Sequence, residues 1–208
     1  MEKTTKTKTT KPIIDFTNEN VYVVSDTHFR HTKLCYGEEV HFDRTRKYKF
    51  VDEMDSDIIS QWNKTIGDND IVIFMGDFLM HCPVKQTEEI FHKYYDVLNK
   101  GKKMYWVIGN HDHLLRKKIG WDNLNMCNKM QFKKDNRLYV LQHNDFVEVQ
   151  RNMPDCEYDK NLVFVHGHTH SDQKLSRFQY NDMNLVQNCV CWDAWYRPVN
   201  VNELEGCV

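Results

Sequence analysis

The first half of the chain alternates short, continuously apolar runs with segments whose apolar residues recur at helical spacing. Runs rich in β-branched and aromatic residues are typical of strands that are buried on both faces, whereas apolar positions three and four residues apart share one face of a helix. The pattern predicts strand 20–25, helix 50–65, strand 71–75, helix 87–98, strand 103–108 and a short helix ending near residue 118. Thr87 is predicted to cap the second helix, because a threonine oxygen can accept a hydrogen bond from a free backbone N–H there.

The second half of the chain has a different pattern, in which short strand-like runs follow one another with little helical spacing between them. These runs lie at 131–132, 138–141, 162–165 and 183–191, and a final helical turn is expected within 199–205. Alternation in one half and consecutive strands in the other favour an α/β (α+β) protein with two packed sheets and helices outside them, rather than one doubly wound sheet.

Length and composition indicate one ordinary globular domain. The chain has 208 residues, of which 40% are hydrophobic and 28% charged, enough for one full-sized core but few for two. We predict a flexible tail at 1–12, where lysine and threonine dominate, followed by a single domain at 13–208. The net charge of −2 gives no reason to expect nucleic acid or an anionic membrane as a partner, and no apolar run approaches the roughly 20 residues of a membrane helix.

The cysteines favour a reducing environment. There are seven of them, an odd number, and the N-terminus does not resemble an export signal. We therefore expect a cytoplasmic protein without disulfides. Cys189 and Cys191 form a C-x-C pair with no second cysteine pair to complete a zinc site, so they are predicted to be small apolar residues of the core.

The predicted strands end at polar residues that can bind metal ions. Ligands of α/β proteins bind beyond the carboxyl ends of the strands, so these side chains are expected to meet in one crevice. In chain order they are Asp26 and His28, Asp77, Asn110 and His111, His143, and finally His168 and His170.

The individual motifs differ in how strongly they indicate a metal site. Asp26 and His28 lie two residues apart and share one side of an extended segment, but a capping aspartate beside a surface histidine explains the pair better when it is considered alone. The segments 76–77 and 109–112 also match ordinary turns and helix caps. The segment 166–170, His-Gly-His-Thr-His, indicates metal binding most strongly, because three histidines in five residues have little structural rationale.

Taken together, the order D-x-H, G-D, G-N-H-D, H and G-H-T-H resembles the signature of the calcineurin-like metallophosphoesterase superfamily. The resemblance extends from about Val21 to Glu203. Within it, 188–201 is similar to the closing strand and Arg-Pro turn of small members, and 25–33 is similar to a compact microbial and phage subgroup. The resemblance implies the metallophosphoesterase fold, a four-layer sandwich of two mixed β-sheets flanked by helices.

The resemblance also implies two divalent metal ions. One would be held by Asp26, His28, Asp77 and His170, and the other by Asp77, Asn110, His143 and His168, with Asp77 bridging them. This mixture of oxygen and imidazole ligands suits Mn²⁺, and also Fe or Zn²⁺, better than Ca²⁺. In such a site a hydroxide that bridges the ions attacks the phosphorus in line, while the ions neutralise the charge that gathers there.

Further residues receive roles from the resemblance and from their position. His111 corresponds to the residue that donates a proton or a hydrogen bond to the leaving oxygen. Asp112 would orient His111, or would equally well cap the following helix. Arg30 and His31 are candidate contacts of the substrate phosphate, or else residues of a solvated loop.

Basic residues follow in the same loop: Arg44, Arg46, Lys47 and Lys49. Such a group would attract an anionic substrate, although a run of charges is more often an ordinary solvated surface.

The short intervals between motifs bear on the substrate. There are 32 residues between Asp77 and Asn110, 31 between His111 and His143, and 24 between His143 and His168. None of these intervals has room for a capping domain, so we expect an open site. An open site favours a phosphodiester or nucleotide-like substrate over a small, enclosed monoester.

Several alternatives remain at this stage. They are a phosphomonoesterase or protein phosphatase of the same fold, a nuclease acting on short oligonucleotides, a non-catalytic scaffold, and a domain that uses zinc only for stability. All seven ligand positions and His111 are present, which argues against the scaffold. A zinc-stabilised domain would unfold when the metal is removed, whereas a chain of this length can bury a core without one. The sequence predicts no oligomeric state.

Overall fold

The computed structural model describes residues 13–37, 46–80, 82–120, 122–146, 161–180 and 183–207. The predicted tail at 1–12 and the basic residue Arg44 lie outside these ranges, and the domain boundaries stay a prediction. No helix among the described residues has the length and apolar character that crossing a bilayer requires. The described cysteines are free thiols: Cys35, Cys82, Cys127, Cys189, Cys191 and Cys207.

The strands and helices of the described residues alternate in the first half of the chain, as predicted. The strands are β1 (Ile14–Asp15), β2 (Val21–Val24), β3 (Ile71–Phe74), β4 (Lys103–Val107), β5 (Met126–Cys127), β6 (Lys129–Lys134), β7 (Arg137–Gln142), β8 (Leu162–His166), β9 (Leu175–Tyr180), β10 (Met183–Cys189) and β11 (Val199–Asn200). The α-helices are α1 (Val51–Thr65), α2 (Thr87–Tyr95), α3 (His113–Lys118) and α4 (Trp192–Trp195), and short 3-10 turns form at Thr32–Leu34 and Val201–Glu203.

The strands form two mixed sheets. The five-stranded sheet has the order β11-β2-β3-β4-β5, in which β2 to β5 are parallel and β11 is antiparallel to β2. The six-stranded sheet has the order β1-β6-β7-β8-β10-β9, in which β7, β8 and β10 are parallel and hairpins join β6 to β7 and β9 to β10. Two mixed sheets with helices confirm the predicted α/β fold class.

The central strands are apolar throughout because each of their faces packs against a different core. In β3, Ile71 and Ile73 join the cluster of side chains between the two sheets. Their neighbours Val72 and Phe74 point the other way, into the cluster that the five-stranded sheet forms with α1 and α2, where Trp62 is fully buried. A strand that is covered on both faces cannot alternate apolar and polar residues, so its sequence reads as a continuous apolar run.

The six-stranded sheet repeats this arrangement. Leu141 of β7 faces the core between the sheets, and its neighbour Val140 packs on the outer face with Phe164, Phe146 and Cys207. This outer cluster has no helical member in the described part of the chain. The helices that a four-layer sandwich would place there are therefore not among the described residues.

Two details of the sequence-based prediction are corrected at α2. The N-cap residue is Gln86, and Thr87 is the first helical residue. The predicted threonine cap is therefore wrong, and the Thr87 hydroxyl instead donates to the carbonyl oxygen of Pro83 at 3.1 Å. The helix ends at Tyr95 rather than at residue 98, with Asp96 as its C-cap.

Four strands were not predicted. Three of them, β1, β5 and β11, contain two residues each, too few for any periodicity. The fourth, β9, lies at the edge of its sheet and pairs only with β10. An edge strand needs less apolar surface than a central one, which leaves its pattern weak. The short helical turn expected within 199–205 is present as the 3-10 turn after β11, with a capping box between Asn200 and Glu203.

Candidate metal centre

Five strand ends supply the predicted ligands. Asp26 and His28 follow β2, Asp77 follows β3, Asn110 follows β4, His143 follows β7, and His168 and His170 follow β8. The strands β2, β3 and β4 run parallel in one sheet, and β7 and β8 run parallel in the other. Their carboxyl ends therefore meet, and the structure brings all seven side chains together.

The first group of ligand atoms belongs to Asp26, His28 and His170, and they all lie within 4.8 Å of one another. The Nε2 atoms of the two histidines are 3.0 Å apart, and each lies 3.6–3.7 Å from Oδ1 of Asp26. The other oxygen, Oδ2, accepts from the backbone N–H of His168 at 2.9 Å. Oδ1 is buried and has no hydrogen-bond partner among the described residues. A buried, unpartnered carboxylate oxygen facing two imidazole nitrogens fits a metal cation, which would satisfy all three atoms.

The second group belongs to Asp77, His143 and His168, whose ligand atoms also lie within 4.8 Å of one another. Nε2 of His143 is 3.3 Å from Oδ2 of Asp77 and 3.0 Å from Oδ1 of Asn110. The other ring nitrogen of His143, Nδ1, lies 2.7 Å from the carbonyl oxygen of Met75. A carbonyl can only accept, so this contact places the proton on Nδ1 and leaves Nε2 directed at the group.

Asp77 belongs to both groups. Its Oδ2 lies 3.6 Å from Nε2 of His28 in the first group and 3.3 Å from Nε2 of His143 in the second. Its Oδ1 accepts from the backbone N–H of His111 at 2.8 Å. One oxygen is thus held by the protein, and the other faces a histidine of each group.

Most of the ligand residues have a backbone conformation that non-glycine residues rarely adopt. Asp26, His28, Asp77, His168 and His170 have φ angles of +57°, +46°, +61°, +69° and +48°. Each such residue costs roughly 1–3 kcal/mol and persists only where the surrounding structure enforces it. These five strained residues all carry candidate ligand atoms. Their strain lowers the stability of the fold, which is typical of a functional site.

Two glycines let the loops after β3 and β4 approach each other. Gly76 has a φ of +92°, which is open to glycine at little cost. A Cβ atom on Gly109 would overlap Oδ1 and the backbone nitrogen of Asp77. The absence of side chains at these two positions is what allows Asn110 to stand beside Asp77.

Charge and burial together set the protonation of this cluster. Burial alone would raise the pKa of Asp26, but the nearby imidazoles of His28, His143 and His170 hold that pKa well below its ordinary range. Burial likewise opposes ionisation of Asp77, and the neighbouring His143 outweighs it and lowers the pKa. For His143, burial works toward a lower pKa, yet the two carboxylates raise it to about 9. The protein therefore keeps two ionised carboxylates in a buried pocket, which is suited to divalent cations.

His111 differs from the ligand histidines in its exposure. Its side chain is 40% exposed, whereas those of His28 and His143 are 2% exposed. Its Nε2 lies 4.0 Å from Oδ2 of Asp77, and its ring centre is 5.5 Å from that of His28. It is therefore an imidazole at the rim of the site that a bound molecule can reach.

Comparison with known proteins agrees with this geometry. The family model for calcineurin-like phosphoesterases matches residues 19–205. The chain belongs to the calcineurin-like phosphoesterase family. Its fold class, its candidate ligand groups for two divalent ions and its assignment as a phosphoester hydrolase are those of this family.

The matches to two relatives cover most of this chain and most of each relative. The uncharacterized protein MJ1445 of Methanocaldococcus jannaschii is 26% identical over 189 residues, which cover 88% of this chain and 87% of that protein. The crystal structure of the protein of unknown function AQ665 from Aquifex aeolicus matches with a TM-score of 0.58 and 19% identity, and the match covers 89% of this chain and 97% of that one. The second similarity concerns the fold alone.

Asp112 of the phosphoesterase holds the ligand loops together. It is fully buried, and Oδ2 accepts from the backbone N–H groups of Asp77 and Gly109 and from Nε1 of Trp106 at 3.0–3.1 Å. Oδ1 accepts from the N–H of Phe78 at 3.1 Å. Asp112 is at the N-cap position of α3 but makes no capping bond with its side chain, so the cap interpretation is wrong. Burial raises its pKa, and these four donors partly offset the cost of the charge.

The two predicted substrate contacts lie in different environments. Arg30 is half-buried, and its Nη1 is a buried atom without a hydrogen-bond partner among the described residues, so its contact with a substrate stays a prediction. His31 is 3% exposed, and its ring packs edge-on against that of His28 with the ring centres 5.6 Å apart. His31 is therefore not a residue of a solvated loop, and it lies against a metal ligand.

One of the residues predicted to form a basic surface, Arg46, is not at the surface. Arg46 is fully buried and forms an ion pair with Asp193, so it does not contribute to an exposed basic loop. Lys47 is 55% exposed and lies 3.3 Å from Asp57, which offsets its charge. The burial of Arg46 could not be predicted, because a guanidinium can be buried only where carboxylate and carbonyl oxygens accept its hydrogen bonds. The sequence does not show where those oxygens lie.

Sequence reasoning missed two residues that contact the ligands. Oδ2 of Asp193 lies 3.1 Å from Nδ1 of His170. Cys191 is buried, as predicted, but its thiol also donates to Oδ2 of Asp26 at 3.2 Å. It therefore contacts a candidate ligand in addition to packing in the core. A signal was available for Asp193: it stands among aromatic residues in the segment Cys-Trp-Asp-Ala-Trp, and a carboxylate in an apolar segment needs a partner.

Proposed function

We propose that this phosphoesterase hydrolyses a phosphodiester or nucleotide-like ester at a centre of two divalent ions, with Mn²⁺ as the preferred metal. The observation that carries the proposal is the position of Oδ2 of Asp77. This oxygen faces both ligand groups, and the exposed imidazole of His111 stands 4.0 Å from it. Ligands for two ions and a reachable proton donor are thus present at one point of the surface.

The chemistry divides between the ions and the side chains. Two bound ions would supply charge to stabilise the phosphoryl oxygens and would lower the pKa of water. His111 would donate a proton or a hydrogen bond from Nε2 to the leaving oxygen, a contribution of about 10²–10⁴ in rate. Its backbone N–H bond to Asp77 keeps the ring beside the ligands. The half-buried guanidinium of Arg30, which follows Asp26 and His28 in the same loop, would donate to a phosphate oxygen.

The surroundings of His111 support an ester of a neutral alcohol. A cleft of about 110 Å³ adjoins His111, and its lining includes Leu79, Met80, Leu114 and Leu115. None of the described residues that line this cleft is an acid, a lysine or an arginine. Its volume is below the roughly 300–1,000 Å³ of pockets that enclose a whole ligand. The cleft therefore suits one uncharged portion of a leaving group, such as a ring, better than a second phosphate.

The organisation of the intervening segments supports an open site. The interval from Asp77 to Asn110 forms α2 and β4, and the interval from His111 to His143 forms α3 and β5 to β7. In the described part of both intervals these elements belong to the sheets and their cores and form no lid. Most of the third interval, from His143 to His168, lies outside the described residues. An open site accommodates both alcohols of a diester.

The test is a metal-dependent screen of chromogenic esters with the full chain. Wild-type protein with Mn²⁺ should hydrolyse bis(p-nitrophenyl) phosphate faster than p-nitrophenyl phosphate, and cyclic nucleotides complete the panel. His111→Ala should lower kcat by about 10²–10⁴ while metal analysis still finds two ions per chain. His92→Ala is the matched control, because His92 is a histidine on α2 that is 48% exposed and contacts Asp96 and the ring of Phe91 rather than the ligand groups.

The outcomes separate the alternatives. Preference for the monoester would replace the diesterase assignment with a phosphomonoesterase. Two bound ions without turnover of any ester would identify a non-catalytic scaffold and overturn the proposal.

A further inference from the structure

A buried ion pair stands directly behind the first ligand group. Nε and Nη2 of Arg46 donate to Oδ1 and Oδ2 of Asp193, both at 3.0 Å. The Arg46 side chain is 0% exposed and that of Asp193 is 9% exposed. Two parallel bonds of this kind hold a carboxylate in one orientation as well as one place.

The carboxylate of this pair determines which nitrogen of His170 faces the site. Oδ2 of Asp193 lies 3.1 Å from Nδ1 of His170. Both oxygens of Asp193 accept from the Arg46 fork, which holds this group as a carboxylate that accepts hydrogen bonds. An ionised carboxylate only accepts, so Nδ1 must carry a proton. Nε2 is then directed at the first group, where it lies 3.7 Å from Oδ1 of Asp26.

The same guanidinium also holds the backbone between the other two candidate ligands, Asp26 and His28. Nη1 of Arg46 donates to the carbonyl oxygen of Thr27 at 2.9 Å, and Nη2 donates to the carbonyl oxygen of Asp26. These carbonyls flank the strained turn that carries Asp26 and His28, whose φ angles are positive. One buried cation therefore connects the backbone at Asp26 and Thr27, through Asp193, to the ring of His170.

We propose that Arg46 and Asp193 are positioning residues that set the affinity of the first metal group and leave the second largely unaffected. The second group is outside their reach: the contacts of Arg46 and Asp193 in the described chain involve none of Asp77, His143 and His168. The inference rests on the metal-binding part of the proposed function, and it is independent of the ester that is hydrolysed.

A purely structural role is the competing explanation, and a paired substitution distinguishes the two. Replacing a buried ion pair by apolar residues of similar volume is often neutral or stabilising. If the pair is structural, the double variant R46M/D193L should therefore keep both metal affinities. If the pair positions His170, the variant should fold and still lose affinity at one site.

The experiment is a calorimetric titration of the metal-free full chain with Mn²⁺. R46M/D193L should bind one ion ten- to a hundredfold more weakly, the usual effect of losing a residue that orients a ligand, and bind the other within about twofold of wild type. Asp193→Asn, which keeps the shape but loses the charge, should show a smaller loss at the same site and serves if the double variant does not fold. Glu203→Gln is the control, since it alters an exposed arginine–carboxylate fork, with Arg197 at 2.7–3.0 Å, and should change neither affinity.

A second readout does not depend on metal binding. Nitrogen chemical shifts of His170 in the metal-free chain, recorded at a pH where the ring is neutral, should show the Nδ1–H tautomer in wild type and a mixture of tautomers in R46M/D193L. Unchanged affinities, equal weakening of both ions, or an unchanged tautomer would overturn the positioning role. Failure of wild type to bind two ions would refute the proposed function, and the tautomer would still decide the positioning role.

Discussion

Asparagine at position 112 should destabilise the protein by about 3 kcal/mol. The carboxylate of Asp112 accepts three N–H groups on Oδ2 and one on Oδ1. Asparagine retains one oxygen, which can serve the three donors, and its amide nitrogen then faces the N–H of Phe78. One buried N–H without an acceptor costs about 1–3 kcal/mol, and each of the three remaining bonds loses about 1 kcal/mol when its acceptor is no longer charged. Relief from burying a charge, whose pKa is already raised, offsets part of this sum.

Thermal unfolding measures the effect of Asp112→Asn directly. For a chain of this length 1 kcal/mol corresponds to about 2–4 °C, so the melting temperature should fall by about 6–12 °C. Asp122→Asn is the matched control, because Asp122 is exposed and such substitutions stay within about 0.5 kcal/mol. A melting temperature of Asp112→Asn within about 2 °C of wild type would show that these four bonds do not hold the ligand loops.

Stability should also depend on pH through Asp55, since burial raises its pKa to about 6 beside Tyr94 and the backbone of Arg30. A raised carboxyl pKa favours folding when the group is protonated, so this contribution is present below about pH 4 and is lost as pH rises through 6. In urea titrations the free energy of unfolding of Asp55→Asn should therefore rise by about 2–3 kcal/mol relative to that of wild type between pH 4 and pH 8. A difference between the two proteins that does not change with pH would contradict the buried environment of Asp55. Chelation should abolish ester hydrolysis and leave the far-UV circular dichroism largely intact. Adding Mn²⁺ back at a hundred times its Kd should raise the free energy of unfolding by about 2.7 kcal/mol. Loss of the circular dichroism signal on chelation would instead favour a metal-stabilised domain.

Local pattern alone was sufficient for the elements that build the core. The runs that became β2, β3, β4, β7 and β8 are apolar because both of their faces are covered, and helix α1 matched its predicted range from the spacing of its apolar side chains. The seven ligand positions were also readable, because each follows such a run and because the carboxyl ends of neighbouring parallel strands meet at one edge.

The roles of single polar residues were decided by the tertiary structure. The sequence pattern predicted Arg46 to lie in a solvated basic loop and indicated no role for Asp193. In the structure the two residues, 147 positions apart, form a buried ion pair. Asp112 was read as a cap or as a partner of His111, and it instead binds loops from two different strands. Hydrogen-bond partners that are distant in sequence leave no periodic trace, because the energy of a buried charge depends on which oxygen or N–H the fold brings to within about 3 Å.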